Sequence, residues 1–291
     1  MHRVRPFLGR LARRLVRLLD RPGGRSLIAW VIRRKIRAVH GETVTVSRVP
    51  PGYWVIRWPQ ACVPMPELWY APSPTQYEAH ARDVFLQEYT PRDGDIVVDV
   101  GSGVGWELNL FSRLVGPTGR VYAIEADPDS FRWLERRQEL NLLDNVTPLQ
   151  VALADRPGEV IISSEGWCET HRLVTAGRGN RVQALRFDDL VEQYGITHVD
   201  FLKMNIEGAE RLALKGMDRR ARLVRNMAVS CHDFLADHGG DDSCGTRAFV
   251  ERFLVDHGFE VVERRADDDR DWARSYLYGR RCDLNESTRE P

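Results

Sequence analysis

The chain of 291 residues holds 42 lysines and arginines against 42 aspartates and glutamates, and 43% of it is hydrophobic. That length and apolar content suit one large α/β domain with an extension, and a zero formal net charge gives no general case for nucleic acid as a partner. Five cysteines (Cys62, Cys168, Cys231, Cys244, Cys282) lie scattered without C-x-x-C spacing, which predicts reduced thiols in a cytoplasmic protein rather than a zinc site or a disulfide framework.

Residues 1–40 differ from the rest, with many arginines and one acid, Asp20. Phe7, Leu8, Leu11, Leu15, Leu18 and Leu19 recur at helical spacing with arginines between them, Pro22, Gly23 and Gly24 interrupt, and a second basic helix is predicted from Ser26 to Val39. Three readings fit: a helix pair packed on the protein or a partner, a segment lying on an anionic membrane surface, or an organelle-targeting peptide. No apolar run is long enough to span a bilayer, and nothing resembles a cleavable secretory signal. Residues 41–74 read as two short strands, Thr43 to Val46 and Tyr53 to Trp58, followed by an irregular proline-rich connector. A helix from Thr75 to Tyr89 then opens on Thr75 with Glu78 three residues on, a capping box.

The chain from Ile96 to Asp127 carries the first chemical signal. Ile96 to Val100 is an apolar run broken by Asp99, as expected of a strand buried on both faces of a parallel sheet. Gly101, Gly103 and Gly105 follow, then a helix from about Trp106 to Val115 and a strand ending at Ile124. Glu125 closes that strand where a carboxylate can accept hydrogen bonds from both ribose hydroxyls. A dinucleotide fingerprint needs glycine where Trp106 stands. The G-x-G-x-G spacing after Asp99 instead resembles motif I of class I S-adenosylmethionine-dependent methyltransferases. That resemblance implies cofactor contacts from Asp99, Gly101, Gly103, Gly105, Glu125 and Ala126. Asp127-Pro128 predicts an N-cap and a helix to about Leu142, and Val146 to Leu153 the third strand. In the family the end of that strand contacts adenine, which implies Ala152 and Asp155 here. Asp155 serves equally well to start the Arg156-Pro157-Gly158 turn.

Glu159 to Ser163 and Arg181 to Phe187 read as strands flanking a polar loop with Trp167 and His171. The string VDFLKMNIEGAERLALKGM, preceded by FDDL at 187–190, closely resembles the signature of FkbM-type methyltransferases. It implies a class I methyltransferase fold, S-adenosylmethionine as donor, and transfer most often to a hydroxyl of a sugar or specialised metabolite. The family often has aspartate where this chain has Asn205.

Read as residues, Lys203, Asn205 and Glu207 fall at the carboxyl end of the fourth strand, where ligands bind in open α/β sheets. Glu207 can take or orient an acceptor proton, Asn205 can orient it, and Lys203 can stabilise a developing alkoxide or pair with Asp200 or Glu207. Glu207 and Glu210 also suit the first turn of the next helix. His232, ending the fifth strand from Met227 to Cys231, is the first choice for a general base because an unperturbed imidazole titrates near operating pH. Asn205, Glu207, His232 and Asp233 form an alternative set for a divalent cation. A helix from Thr246 to His257 and an antiparallel pair, Phe259 to Glu263 and Ser275 to Tyr278, complete the expected sheet. The expectation is thus an α/β, Rossmann-like class I methyltransferase fold over 75–280, with a seven-stranded, mostly parallel sheet and a polar tail over 281–291. Its acceptor is a small molecule, and the protein is cytoplasmic, with membrane contact through residues 1–40 left open. The rivals are an oxidoreductase using a nicotinamide dinucleotide and a non-catalytic binding protein on the same fold.

Overall fold

The computed structural model describes residues 16–68, 73–163, 173–174, 179–233, 245–264 and 268–281. The expected loop residues Trp167 and His171 and the polar tail after Arg281 lie outside them, while Arg281, expected to open that tail, ends the last strand. The chain divides into two compact units, residues 1–79 with 139–142, and residues 80–138 with 143–291.

In the first unit, helix α1 (Arg25–His40) buries Ile28, Ala29, Ile32 and Ile36 and ends at Gly41, whose φ of 72° forms a left-handed C-cap. An antiparallel meander follows: β1 (Thr45–Val49), β2 (Tyr53–Arg57) and β3 (Cys62–Met65). The third strand was expected to be irregular because of its prolines. Pro64 is accommodated because β3 pairs only with β2 and is an edge of this sheet. Helix α2 (Pro74–Val84), of which residues 74–79 belong to this unit, begins on proline, so Thr75 sits inside its first turn and donates to Glu42 (3.2 Å) instead of capping.

The second unit carries a seven-stranded sheet. Its strands are β4 (Ile96–Val100), β5 (Arg120–Ile124), β6 (Val146–Leu149), β11 (Val199–Met204), β12 (Val224–Ser230), β13 (Phe259–Glu263) and β14 (Tyr276–Arg281). The order is β13-β14-β12-β11-β4-β5-β6, parallel from β12 through β6, with β14 antiparallel to both its neighbours. The strand order reverses between β4 and β11, and this switch point is where such sheets open a crevice for ligands.

Alternation along the strands splits the core in two. Val98, Val100, Leu202 and Met204 face one layer with α5 (Phe187–Gln193), α6 (Glu210–Lys215) and α7 (Arg247–Asp256). Val97, Phe201, Val121 and Ala123 face the other with α3 (Leu108–Val115) and α4 (Pro128–Leu140). Ser130 donates its amide to the Asp127 carboxylate at 2.8 Å, so Asp127 caps α4 as its sequence predicts.

The stretch from Val146 to Leu153 is two elements rather than one strand. After β6 the chain turns at Gln150, and β7 (Ala152–Leu153) joins β8 (Gly158–Ser163), β9 (Leu173–Val174) and β10 (Gly179–Leu185) in a separate four-stranded sheet ordered β7-β10-β8-β9. A small cluster of Ala152, Ala154, Ile162, Val182 and Ala184 gives this second sheet its own core.

Candidate active site

Asp99 and Lys203 face each other in register on β4 and β11. Both are fully buried, with Lys203 Nζ 2.9 Å from Asp99 Oδ1 and donating to the Gly101 carbonyl at 2.8 Å. Burial opposes the lysine charge, but the charges of Asp99 and Glu107 outweigh it and hold the ammonium above its ordinary range. The sequence-based partners of Lys203 were Asp200 and Glu207. Asp200 is instead taken by Arg225 (2.7 Å) and the Ile96 amide (2.9 Å). Lys203 is thereby committed beneath the glycine turn, tying its two strands together, and is not available to an alkoxide.

The turn above this pair has positive φ at Gly101 (77°), Gly103 (56°) and Gly105 (80°). A Cβ on Gly101 would lie 2.0 Å from the Asn205 carbonyl oxygen, so glycine is required for the two strand ends to approach. Gly103 has nothing within 4 Å of that direction and opens onto space a ligand can use. The Gly101 and Ser102 amides both bond the Ile124 carbonyl, the Gly105 amide bonds Ser102, and the Gly103 amide donates to Glu125 Oε2 at 2.7 Å. Glu125 Oε1 accepts from the Asp127 amide, also at 2.7 Å. Burial pushes Glu125 up to about 7 against the lowering effect of those two amides. Ala126 sits next to it, half-buried against the core of the small sheet.

This cradle fits a nucleoside carrying a neutral or cationic group better than a pyrophosphate. Four amides of the turn are spent internally, and two carboxylates stand near the start of α3, where a phosphate would need positive potential. One is Glu125. The other is Glu107, a residue sequence reasoning missed. It precedes α3, is buried, and is raised to about 7 chiefly by burial, with Lys203 opposing. Its only sequence signal is an acid next to the motif I helix. Trp106, in place of the third glycine of a dinucleotide fingerprint, lies under the Arg137 guanidinium, 4.3 Å from its ring centre.

Both adenine candidates are moved by the split of the third strand. Ala152 is buried in β7 and pairs with Ala184 of β10, so it does not end a strand of the large sheet. Asp155 is exposed in the bend before β8, the turn role its sequence equally allowed. Gln150 and Val151 occupy the carboxyl end of β6 instead.

Across the switch point a second group assembles. Asn205 continues β11, its amide bonding the Val100 carbonyl at 3.0 Å. Glu207 (φ 54°) and His232 (φ 53°) are both non-glycine residues in the left-handed region, a costly backbone state that concentrates at functional sites. The imidazole of His232, only 2% exposed, lies between two carboxylates: Nδ1 is 2.9 Å from Glu210 Oε1, and Nε2 is 3.5 Å from Glu207 Oε1. Glu210 is fully buried, the first residue of α6, and also accepts from the Ile206 amide (3.1 Å) and the Thr246 hydroxyl (3.4 Å). Glu207 lies before that helix, so only Glu210 fills the first-turn position the sequence allowed to both. Burial opposes charge on His232, but hydrogen bonding to Glu207 and Glu210 outweighs it and raises the imidazole to about 9. The premise for choosing His232 as base, an unperturbed pKa, therefore does not hold.

Asp233 is used otherwise, its Oδ2 accepting from the amides of Thr246 (3.2 Å) and Arg247 (3.0 Å) at the start of α7. Among the described residues, no group of three or more His, Cys, Asp or Glu side chains is arranged to hold a metal ion.

A mostly parallel sheet with this strand order, a glycine turn over a buried Asp-Lys pair, a buried carboxylate at the end of β5 and a second polar group across the switch point are the features of a class I S-adenosylmethionine-dependent methyltransferase. The family model described as the methyltransferase FkbM domain matches residues 99–261, more than half of the chain, and the chain belongs to that family. Among curated proteins it is similar to methyltransferase sdnD of Sordaria araneosa, 26% identical over 59% of this chain and 76% of that one. It is also similar to the hexuronic acid methyltransferase AglP of Haloferax volcanii, 28% identical over 48% of this chain and 57% of that one. Among solved structures, an FkbM methyltransferase from Methylobacillus flagellatus is 18% identical, with a TM-score of 0.44 over 71% of this chain and 50% of that one.

Proposed function

We propose that the protein transfers a methyl group from S-adenosylmethionine to a hydroxyl of a small molecule, a sugar or a specialised metabolite. The observation that carries this is the Glu207–His232–Glu210 group, a proton-accepting arrangement across the switch point from the cofactor cradle. The similarity to AglP, a hexuronic acid methyltransferase, supports a sugar-derived acceptor.

The donor supplies an electrophilic methyl on a sulfonium, and a neutral alcohol needs its proton removed as the new bond forms. Glu207, half-buried and oriented by His232, takes that proton at a carboxylate oxygen. His232, held cationic by the two carboxylates, fixes Glu207 rather than acting as the first acceptor itself. Glu210 fixes His232, and Asn205 presents its amide side chain to the acceptor. Asp99, Lys203 and Glu107 hold the glycine turn from beneath, and Glu125 binds the ribose. An oxidoreductase using a dinucleotide is disfavoured by the spent amides and the two carboxylates.

The test is incubation with methyl-labelled S-adenosylmethionine and a panel of uronic acids, neutral sugars and amines, with products located by mass spectrometry. O-methylated product that disappears in Glu207→Gln, while S-adenosylhomocysteine binding persists, is the expected result. Labelling confined to amines, or unaffected by Glu207→Gln, refutes the assignment.

A further inference from the structure

The molecule separates its charge sharply along the sequence. Residues 1–40 hold twelve lysines and arginines and one acid, while the chain as a whole balances 42 against 42, so the other residues carry an excess of eleven acids. The single acid of the segment, Asp20, is already engaged: it accepts from Arg25 Nε (3.1 Å), Arg48 Nη1 (2.6 Å) and Trp54 Nε1 (3.3 Å). It is not left to offset the other arginines.

Helix α1 has two unlike faces. Ile28, Ala29, Ile32 and Ile36 are buried. On the opposite side Leu27, Trp30 and Val31 are 47% to 49% exposed, and they fall at i, i+3 and i+4, with Arg34 and Arg37 continuing the stripe. The Arg34 guanidinium rests 5.1 Å from the centre of the Trp30 ring. Just upstream, Leu18 is 63% and Leu19 40% exposed. Large aliphatic and indole groups left in water beside a row of arginines are matched by a surface that is apolar a few ångströms in and anionic at its face. A nucleic acid backbone would reward the arginines but give nothing for Leu27 and Val31.

We propose that this face of α1 docks on an anionic lipid bilayer, with Leu27, Trp30 and Val31 entering the headgroup boundary and Arg33, Arg34, Lys35 and Arg37 meeting lipid phosphates and carboxylates. No helix among the described residues is long and apolar enough to cross a membrane, so the contact is peripheral. It is independent of the acceptor assignment above.

The test is co-sedimentation of the full chain with phosphatidylcholine vesicles, with and without phosphatidylserine. Two surface variants are compared, Leu27→Ser/Trp30→Ser/Val31→Ser and Arg33→Ala/Arg34→Ala/Lys35→Ala/Arg37→Ala. Both sets are exposed, and an unchanged thermal midpoint checks the fold. Binding should require phosphatidylserine, weaken with added salt, fall about fivefold per cation removed, and be lost or nearly lost in the apolar variant. Equal binding to neutral vesicles, or none to either, overturns the proposal. So does binding to duplex RNA that survives the apolar substitutions, which would make the segment a nucleic acid arm. A dimer in light scattering without vesicles, dissolved by the apolar substitutions, would mark the face as a contact between copies and overturn it too.

Discussion

Replacing Glu210 by glutamine isolates the electrostatics of the proposed active centre. Glutamine keeps the shape and an acceptor for the Ile206 amide, but removes a full charge lying 2.9 Å from His232 Nδ1. With His232 raised from 6.5 to about 9, its protonation stabilises the fold by roughly 3 kcal/mol. Because the folded-state value is the higher one, that contribution is fully present below pH 6.5 and is lost as pH rises through about 9. Loss of one of the two carboxylates should lower the folded-state value by one to two units and so remove roughly 2 kcal/mol at neutral pH. In a chain of this size that is a drop of about 5 °C in the unfolding midpoint. The deficit should shrink towards zero near pH 10, where His232 is neutral in both proteins. Thermal and urea unfolding from pH 6 to 10, with the imidazole followed by NMR, measures both quantities. A deficit that is the same at every pH would show that Glu210 acts by packing alone, and the account of His232 as a carboxylate-held cation would fail.

The first two glycines of the turn should respond differently. Gly101→Ala, whose new Cβ would strike the Asn205 carbonyl, should unfold several degrees early. Gly103→Ala meets no protein atom and should cost only about 1 kcal/mol, the strain of a left-handed alanine, yet weaken S-adenosylhomocysteine binding strongly by calorimetry. Affinity for S-adenosylhomocysteine should fall about tenfold between pH 8 and pH 6, because Glu125, raised to about 7, must be ionised to accept both ribose hydroxyls; Glu125→Gln should bind weakly with a flatter pH profile. Lys203→Met leaves the buried Asp99 carboxylate without its cation and should cost roughly 3–5 kcal/mol in urea unfolding, a loss that Asp99→Asn in the same chain should partly restore.

What the amino-acid sequence determined by itself was everything carried by local pattern. Ile96 to Val100 declares a doubly buried strand, the glycines after it a turn that only glycine can make, Asp127-Pro128 a helix start, and the FkbM signature the family. These follow from backbone sterics and side-chain periodicity, which act over a few residues. What only the tertiary structure decided were the pairings between distant segments. Lys203 has Asp200 and Glu207 nearby in sequence, yet register across β4 and β11 delivers it to Asp99, 104 positions earlier in the chain. The third strand breaks at Gln150 because Ala152 finds a partner in β10, far along the chain. The His232 imidazole is held above its ordinary range because the turn at Glu207 and the start of α6 bring two carboxylates to the histidine that follows β12. Long-range juxtaposition and desolvation set those properties, and neither is written in the residues next to them.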